Sequence, residues 1–222
     1  MEDRKLLIFV RSLELGSVKT RIAQAIGDEP ALALYDCFVS DTLSLARLAG
    51  YPFVVCFHPP EARSAIAGWL GDGVRSVPQE GRDLGERMCR ALSDGLSRAR
   101  RVVLIGSDSP GLPVEVLHEA FGCLETSDAV IGPSADGGYY LIGFSSAASF
   151  PAPFENIGWG GADVFRSTME ILQERHVRVH LLRSWKDLDE YEDLEAFYAS
   201  HRELPSASPR TIDFLRGLFG GK

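Results

Sequence analysis

The sequence predicts an α/β domain, and three observations carry that expectation. Short β-rich apolar runs alternate with longer amphipathic stretches along the whole chain. The run Val102-Val103-Leu104-Ile105 has no polar alternation, as expected of a central strand covered on both faces. Finally, 222 residues with no internal repeat, low-complexity tract or linker fit one domain.

The elements follow in order from local chemistry. Leu6 to Val10 reads as the first strand, followed by a loop containing Gly16 and a helical region from about Lys19. That helix breaks near Gly27 and resumes with Pro30 in a first-turn position, and Leu34, Phe38, Thr42 and Leu45 keep helical spacing up to a stop at Gly50. Phe53 to Phe57 is a second strand ended by Pro59-Pro60, Ala62 to Leu70 a short helix, and Val74 to Val77 a third strand. Leu84, Met88, Leu92 and Leu96 recur every four residues and mark the next helix. Arg101 to Gly106 is the strongest strand signal, followed by a helix over Pro113 to Leu124 and strands over Ala129 to Gly132 and Tyr139 to Phe144. Small residues and proline make Ser145 to Gly161 a loop. Asp163 to Arg175 reads as a helix, Val177 to Leu182 as the last strand, and Glu190 to His201 and Thr211 to Leu218 as helices.

Composition excludes several classes. With 45% hydrophobic and 24% charged residues the chain is far from the signature of disorder. A net charge of -8 repels a phosphate backbone, so general nucleic-acid binding is not expected. No apolar run approaches the ~20 residues of a membrane span, and Met1 to Val10 lacks the regions of a signal peptide, which points to a cytoplasmic protein. Cys37, Cys56, Cys89 and Cys123 form no CxxC pair and have no histidine at ligand spacing, so buried free thiols are expected and neither zinc nor disulfides are signalled. His58, His118, His176, His180 and His201 are scattered, with no GxSxG elbow, and read as surface or core groups.

In an open α/β sheet, ligands bind beyond the carboxyl ends of the strands. Four segments fall there. Gly16-Ser17-Val18-Lys19-Thr20-Arg21 places two cations and a hydroxyl at a helix start, which suits phosphate or is a solvated basic turn; it is not a Walker A loop. Gly106-Ser107-Asp108-Ser109-Pro110 puts a lone carboxylate after the strongest strand, where it either binds a hard metal or caps a turn. Asp136-Gly137-Gly138-Tyr139-Tyr140 combines a glycine turn with a stacking surface, or is an ordinary hairpin. Asp187-Leu188-Asp189 supplies further carboxylates, for a metal shell or a helix N-terminus. One sheet would bring all four to a common rim, a set that suits a nucleotide diphosphate.

These segments, with Gly81-Arg82-Asp83-Leu84-Gly85-Glu86-Arg87-Met88 and Trp185-Lys186-Asp187-Leu188-Asp189, occur in an order that resembles the bacterial glycosyltransferase-like family of the nucleotide-diphospho-sugar transferase superfamily, the selenodomain-associated transferase type. The resemblance covers about residues 5 to 200. It implies a glycosyltransferase A-type fold, a mixed, mostly parallel sheet flanked by helices, binding a nucleotide sugar or nucleoside triphosphate with Mg2+ or Mn2+. By the same resemblance, Asp108 and Asp189 are metal ligands, with Asp187 the less favoured partner. Gly16, Lys19, Arg21, Arg82, Asp83, Arg87 and Ser107 surround the nucleotide. Gly137, Gly138, Tyr139 and Trp159 face the sugar or a small-molecule acceptor, and Asp136 or Asp187 is the catalytic base.

The sequence departs from the family pattern in three places. Gly106-Ser107-Asp108 stands where sugar transferases carry Asp-x-Asp, Ser12 and Leu15 replace the usual prolines before Val18-Lys19-Thr20-Arg21, and Gly158-Trp159-Gly160-Gly161 replaces the commoner residues after the tryptophan. The expected activity is metal-dependent glycosyl transfer from a nucleotide sugar. The alternatives are nucleotidyl transfer with release of pyrophosphate and a non-catalytic nucleotide-binding protein.

Overall fold

A computed structural model describes residues 2–145, 157–159, 161, 163–203 and 208–220. Seven strands form one sheet: β1 (Glu2–Arg11), β2 (Phe53–His58), β3 (Ser76–Pro78), β4 (Ala99–Ile105), β5 (Ala129–Pro133), β6 (Tyr139–Ser145) and β7 (Val179–Leu181). Their spatial order is β3-β2-β1-β4-β6-β5-β7. β1 pairs in parallel with β2 and β4, β2 with β3, and β5 with β7, while β6 runs antiparallel to both β4 and β5. Every strand but β6 therefore points the same way, and the rim collects the ends of six strands and the start of one.

The helices are α1 (Thr20–Ile26), α2 (Asp28–Ala49), α3 (Arg63–Leu70), α4 (Leu84–Leu96), α5 (Val114–Cys123), α6 (Val164–Glu174), α7 (Tyr191–His201) and α8 (Pro209–Phe219). The two-residue period of β1 sorts its side chains onto two faces. Leu6, Ile8 and Val10 join α1, α2, α5, α7 and α8 in one core, whereas Leu7 and Phe9 join α4 and α6 in the other. In α2 the positions picked out by spacing, Leu34, Phe38, Thr42 and Leu45, are all buried. α8 docks on α2 because the buried Asp41 carboxylate accepts the N–H groups of Arg210 (3.3 Å) and Thr211 (2.9 Å), satisfying donors that a helix start leaves open.

Element boundaries differ from the sequence reading for identifiable reasons. β1 begins at Glu2, where Arg101 on the neighbouring strand grips both oxygens of Asp3 at 2.9 Å. β7 starts two residues late because the Asp128 carboxylate takes the Arg178 N–H (3.0 Å) and its guanidinium. The third strand shifts to Ser76–Pro78. Of the four cysteines Cys56 is buried and Cys37, Cys89 and Cys123 are half-buried, so the expectation of four buried thiols is corrected, although none of the four is in a disulfide. Most of the expected loop from Ser145 to Gly161, Gly160 included, and residues 205–207 of the tail lie outside the described residues. Among the described residues no helix is long and apolar enough to cross a membrane.

The centre of the sheet tolerates no added bulk at Gly143 on β6. A Cβ there would lie 2.9 Å from the Val102 carbonyl oxygen, Val103 Cγ2 and Val130 Cγ1. Gly143→Ala is expected to lower stability by about 1–3 kcal/mol through overpacking. Gly122→Ala on α5, where the Cβ meets open space, is expected to stabilise by about 0.5 kcal/mol. Urea denaturation of the two variants checks the contrast.

Candidate functional site

The site is built from strand ends. A cavity of about 580 Å³ opens along the rim, within the size range of small-molecule sites. At its floor lies Lys19, the residue before α1, whose side chain is only 5% exposed. Its Nζ donates to the Leu188 carbonyl (2.8 Å) and pairs with Asp108 Oδ1 (2.5 Å) and Asp189 Oδ1 (2.9 Å). The Phe38 ring from α2 covers it, 5.4 Å from the ring centre. Burial, the largest single influence, works to lower the pKa of the ammonium. The two carboxylates outweigh burial and hold its pKa above the usual lysine value.

Backbone strain accompanies this ion pair. Lys19 adopts φ 47° and ψ 42°, a left-handed conformation that a side chain normally avoids. Such conformations cost on the order of 1–3 kcal/mol and persist where surrounding contacts dictate them. Here the three hydrogen-bonding partners of Nζ come from the ends of β4 and of the segment after β7, so the strain delivers the ammonium to the place where both sides meet.

That second segment is laced to the β4 end. The Leu188 N–H donates to the Asp108 carbonyl (2.9 Å), and the Ser109 hydroxyl donates to Asp187. Burial, above all, pushes the Asp187 carboxyl up to about 7, with Asp108 and Asp189 adding to the effect and the Ser109 bond opposing it. On its far side the segment is held by Asp193, whose carboxylate accepts the N–H groups of Asp189 (3.1 Å) and Glu190 (2.9 Å) and pairs with Lys186 (2.5 Å). Tyr35 of α2 closes the floor: its hydroxyl accepts the Arg11 N–H at 2.8 Å and meets the Ser107 hydroxyl at 3.0 Å, tying the ends of β1 and β4. Burial, followed by the Asp108 charge, raises that phenol to about 12.

Of the residues singled out by sequence, Lys19, Arg21, Arg87, Ser107, Asp108, Asp136, Tyr139, Asp187 and Asp189 all line the cavity. Others have different tasks. Gly16 takes φ +74° in the turn where the Ser17 N–H reaches the Glu14 carbonyl (3.0 Å), so its freedom shapes the approach to Lys19. Asp83 caps α4 by accepting the Glu86 N–H at 2.8 Å, and Arg82, 93% exposed at its side chain, pairs with Glu86. Both stand outside the cavity lining. Gly137 takes φ +90° in the β5–β6 turn, where Asp136 Oδ1 accepts the Gly138 N–H (3.0 Å) and the Ser134 hydroxyl. Gly137 and Gly138 therefore serve the hairpin. The Trp159 indole lies against Gly85 at the start of α4, outside the lining.

Tyr35 of α2 carried no signal in the sequence, and three further lining residues were missed although each obeys the strand-end rule. Arg11 ends β1, His58 ends β2, and Gln79 follows β3. Gln79 is buried and donates to the carbonyls of Val10 (3.3 Å) and Cys56 (2.8 Å), locking that corner. Arg11 and Arg87 form no ion pair among the described residues, and Arg87 Nε is buried without a partner. Burial and these two neighbouring cations lower the His58 pKa. The rim thus joins an anionic cluster around Lys19 to a wall of unpaired cations.

Comparison with known proteins places the chain. The family model "Uncharacterized protein conserved in bacteria (DUF2064)" matches residues 42–161, more than half of the chain. A crystal structure from Desulfovibrio desulfuricans G20, of a "putative nucleotide-diphospho-sugar transferase", is 38% identical, with 98% of this chain and 95% of that one covered and a TM-score of 0.91. The chain belongs to this family. Its fold is that of the nucleotide-diphospho-sugar transferases, as the ordered motifs imply. More distant structures share the fold alone: the inositol-1-phosphate CTP transferase from T. maritima (12% identity, 97% of each chain, TM-score 0.60) and the manganese complex of Rv0371c from Mycobacterium tuberculosis H37Rv (17% identity, 88% and 97%, TM-score 0.54). The sequence matches no curated protein significantly.

Lys19→Met removes the charge and leaves Asp108 and Asp189 facing one another. Both carboxylates are about two-fifths exposed, so solvent reduces the cost from the ~3–5 kcal/mol of a fully buried broken pair to about 1–3 kcal/mol. Adding Asp189→Asn to Lys19→Met is expected to restore part of that loss, a non-additivity of about 0.5 kcal/mol or more in a urea double-mutant cycle.

Proposed function

We propose that this chain is a transferase that binds a nucleotide-activated donor across the rim and passes part of it to a small-molecule acceptor. The observation that carries the reading is the buried Lys19 ammonium held between carboxylates from two separate strand ends, in a cavity walled by the unpaired Arg11 and Arg87. Nucleotide phosphates need cations that are fixed before they arrive, because charge that is already oriented stabilises a leaving diphosphate without reorganisation. We place this activity in a single cytoplasmic domain.

Asp108 and Asp189 are fit to hold a divalent ion. Their Oδ1 atoms converge on Lys19 Nζ and both side chains stay open to the cavity, offering hard oxygen donors of the kind Mg2+ and Mn2+ take. Such an ion would supply Lewis-acid neutralisation of phosphate oxygens. Lys19 stands between the same two carboxylates, and Arg21 and Arg87 line the cavity with them. Asp187 is drawn into this cluster by Ser109. Asp136, held in the β5–β6 turn beside Tyr139 with its second oxygen outside the turn's hydrogen bonds, is the candidate base for an acceptor hydroxyl.

With a nucleotide sugar as donor, the acceptor oxygen bonds to the sugar carbon, the bond to the diphosphate breaks, and the hydroxyl proton passes to the base. The name given to the 38% identical relative supports this chemistry. A second reading, nucleotidyl transfer, has one observation in its favour: the fold is shared with the inositol-1-phosphate CTP transferase from T. maritima. In that reading a phosphorylated acceptor attacks the α-phosphorus of a nucleoside triphosphate and pyrophosphate leaves.

Product analysis separates the two, since sugar transfer releases a nucleoside diphosphate and nucleotidyl transfer releases pyrophosphate. Candidate donors are first found by thermal shift with and without Mg2+ or Mn2+, where ligand at ~100 Kd adds about 2.7 kcal/mol. Asp108→Ala is expected to abolish metal-dependent turnover with the fold retained. Unchanged turnover would remove Asp108 from the site.

A further inference from the structure

On the flank of the sheet, outside the rim cavity, three side chains of metal-ligating chemistry meet. Glu119 and Cys123 stand one turn apart on α5, spaced so that both project from one face. His180 is the central residue of β7, the strand at the edge of the sheet. One ligand atom from each lies within 4.8 Å of the other two, and His180 Nε2 is 3.6 Å from Glu119 Oε1. None of the three lines the rim cavity. An ion pair between histidine and glutamate would explain two of these groups but gives the thiol no reason to join them.

We propose that Glu119, Cys123 and His180 form a zinc site that ties α5 to the edge strand β7. A thiolate, an imidazole and a carboxylate are the donor types that Zn2+ combines, and a thiolate disfavours Mg2+ and Ca2+. Tetrahedral zinc with bonds of about 2.0–2.3 Å sets its ligand atoms roughly 3.3–3.8 Å apart. The histidine–glutamate separation already falls there, and small side-chain rotations bring in the sulfur. Glu119 and His180 are half-exposed, so an ion has access, and three protein ligands leave a fourth position for water.

The placement gives the ion a task. β7 is three residues long and, among the described residues, is paired with β5 alone, and the chain it launches carries Asp187 and Asp189. α5 follows the loop that carries Asp108. A metal bridging α5 and β7 would brace the two segments whose carboxylates meet at Lys19, independently of the reaction performed there.

Cobalt titration of metal-stripped protein tests the site, because a cysteine–cobalt bond produces an intense charge-transfer band that hard oxygen sites lack. One equivalent of Co2+ is expected to develop the band and Zn2+ to abolish it. Asp108→Asn should keep the band, Cys123→Ser should lose it, and His180→Ala should weaken it. Zn2+ should raise the Tm of the wild type but not that of Cys123→Ser, whose metal-free Tm is expected to match the wild type. Absence of the band, or its survival in Cys123→Ser, would overturn the proposal.

Discussion

A buried ammonium is the constraint around which the rim is organised. Moving such a charge out of water costs several kcal/mol unless partners replace its solvation. Lys19 finds those partners in Asp108, Asp189 and the Leu188 carbonyl, which belong to chain segments far apart in sequence. The left-handed backbone at Lys19, the Ser109–Asp187 bond and the clamp by Asp193 all keep that meeting point in place. Without the pairing, the segment after β7 would keep its Leu188–Asp108 and Ser109–Asp187 bonds but lose its tie to α1 through Lys19.

The sheet topology makes the meeting possible. Parallel strands send their carboxyl ends to one side, so Arg11, His58, Gln79 and Asp108 arrive together from β1 to β4. β6 runs the other way and therefore brings its first residue, Tyr139, and the preceding Asp136 to the same edge. The cavity is consequently asymmetric: unpaired arginines on the β1–β3 side, carboxylates around Lys19, and a turn-bound carboxylate beside an aromatic ring. A charged donor and a separate acceptor fit that division.

Much of this was legible in the chain. Apolar runs located all seven strands, and the strand-end rule located Lys19, Asp108, Asp136, Asp187 and Asp189 as rim residues. What escaped has physical reasons. Asp83 and Arg82 stand outside the cavity lining because Asp83 caps the start of α4 and Arg82 pairs with Glu86, contacts that their spacing alone does not announce. Arg11 and His58 fall one residue past the apolar runs that mark their strands, so they carry no signal of their own until the folded strand ends turn them to the cavity. The cluster of Glu119, Cys123 and His180 has no spacing signature, because strand β7 reaches α5 only through the folded sheet.

The convergence of Lys19, Asp108 and Asp189 on one bound ligand is tested most directly by a crystal structure grown with Mn2+ and a nucleoside diphosphate selected by thermal shift. Anomalous density is expected between Asp108 and Asp189, with phosphate oxygens beside Lys19 Nζ. A nucleotide bound elsewhere, or manganese touching neither carboxylate, would contradict it.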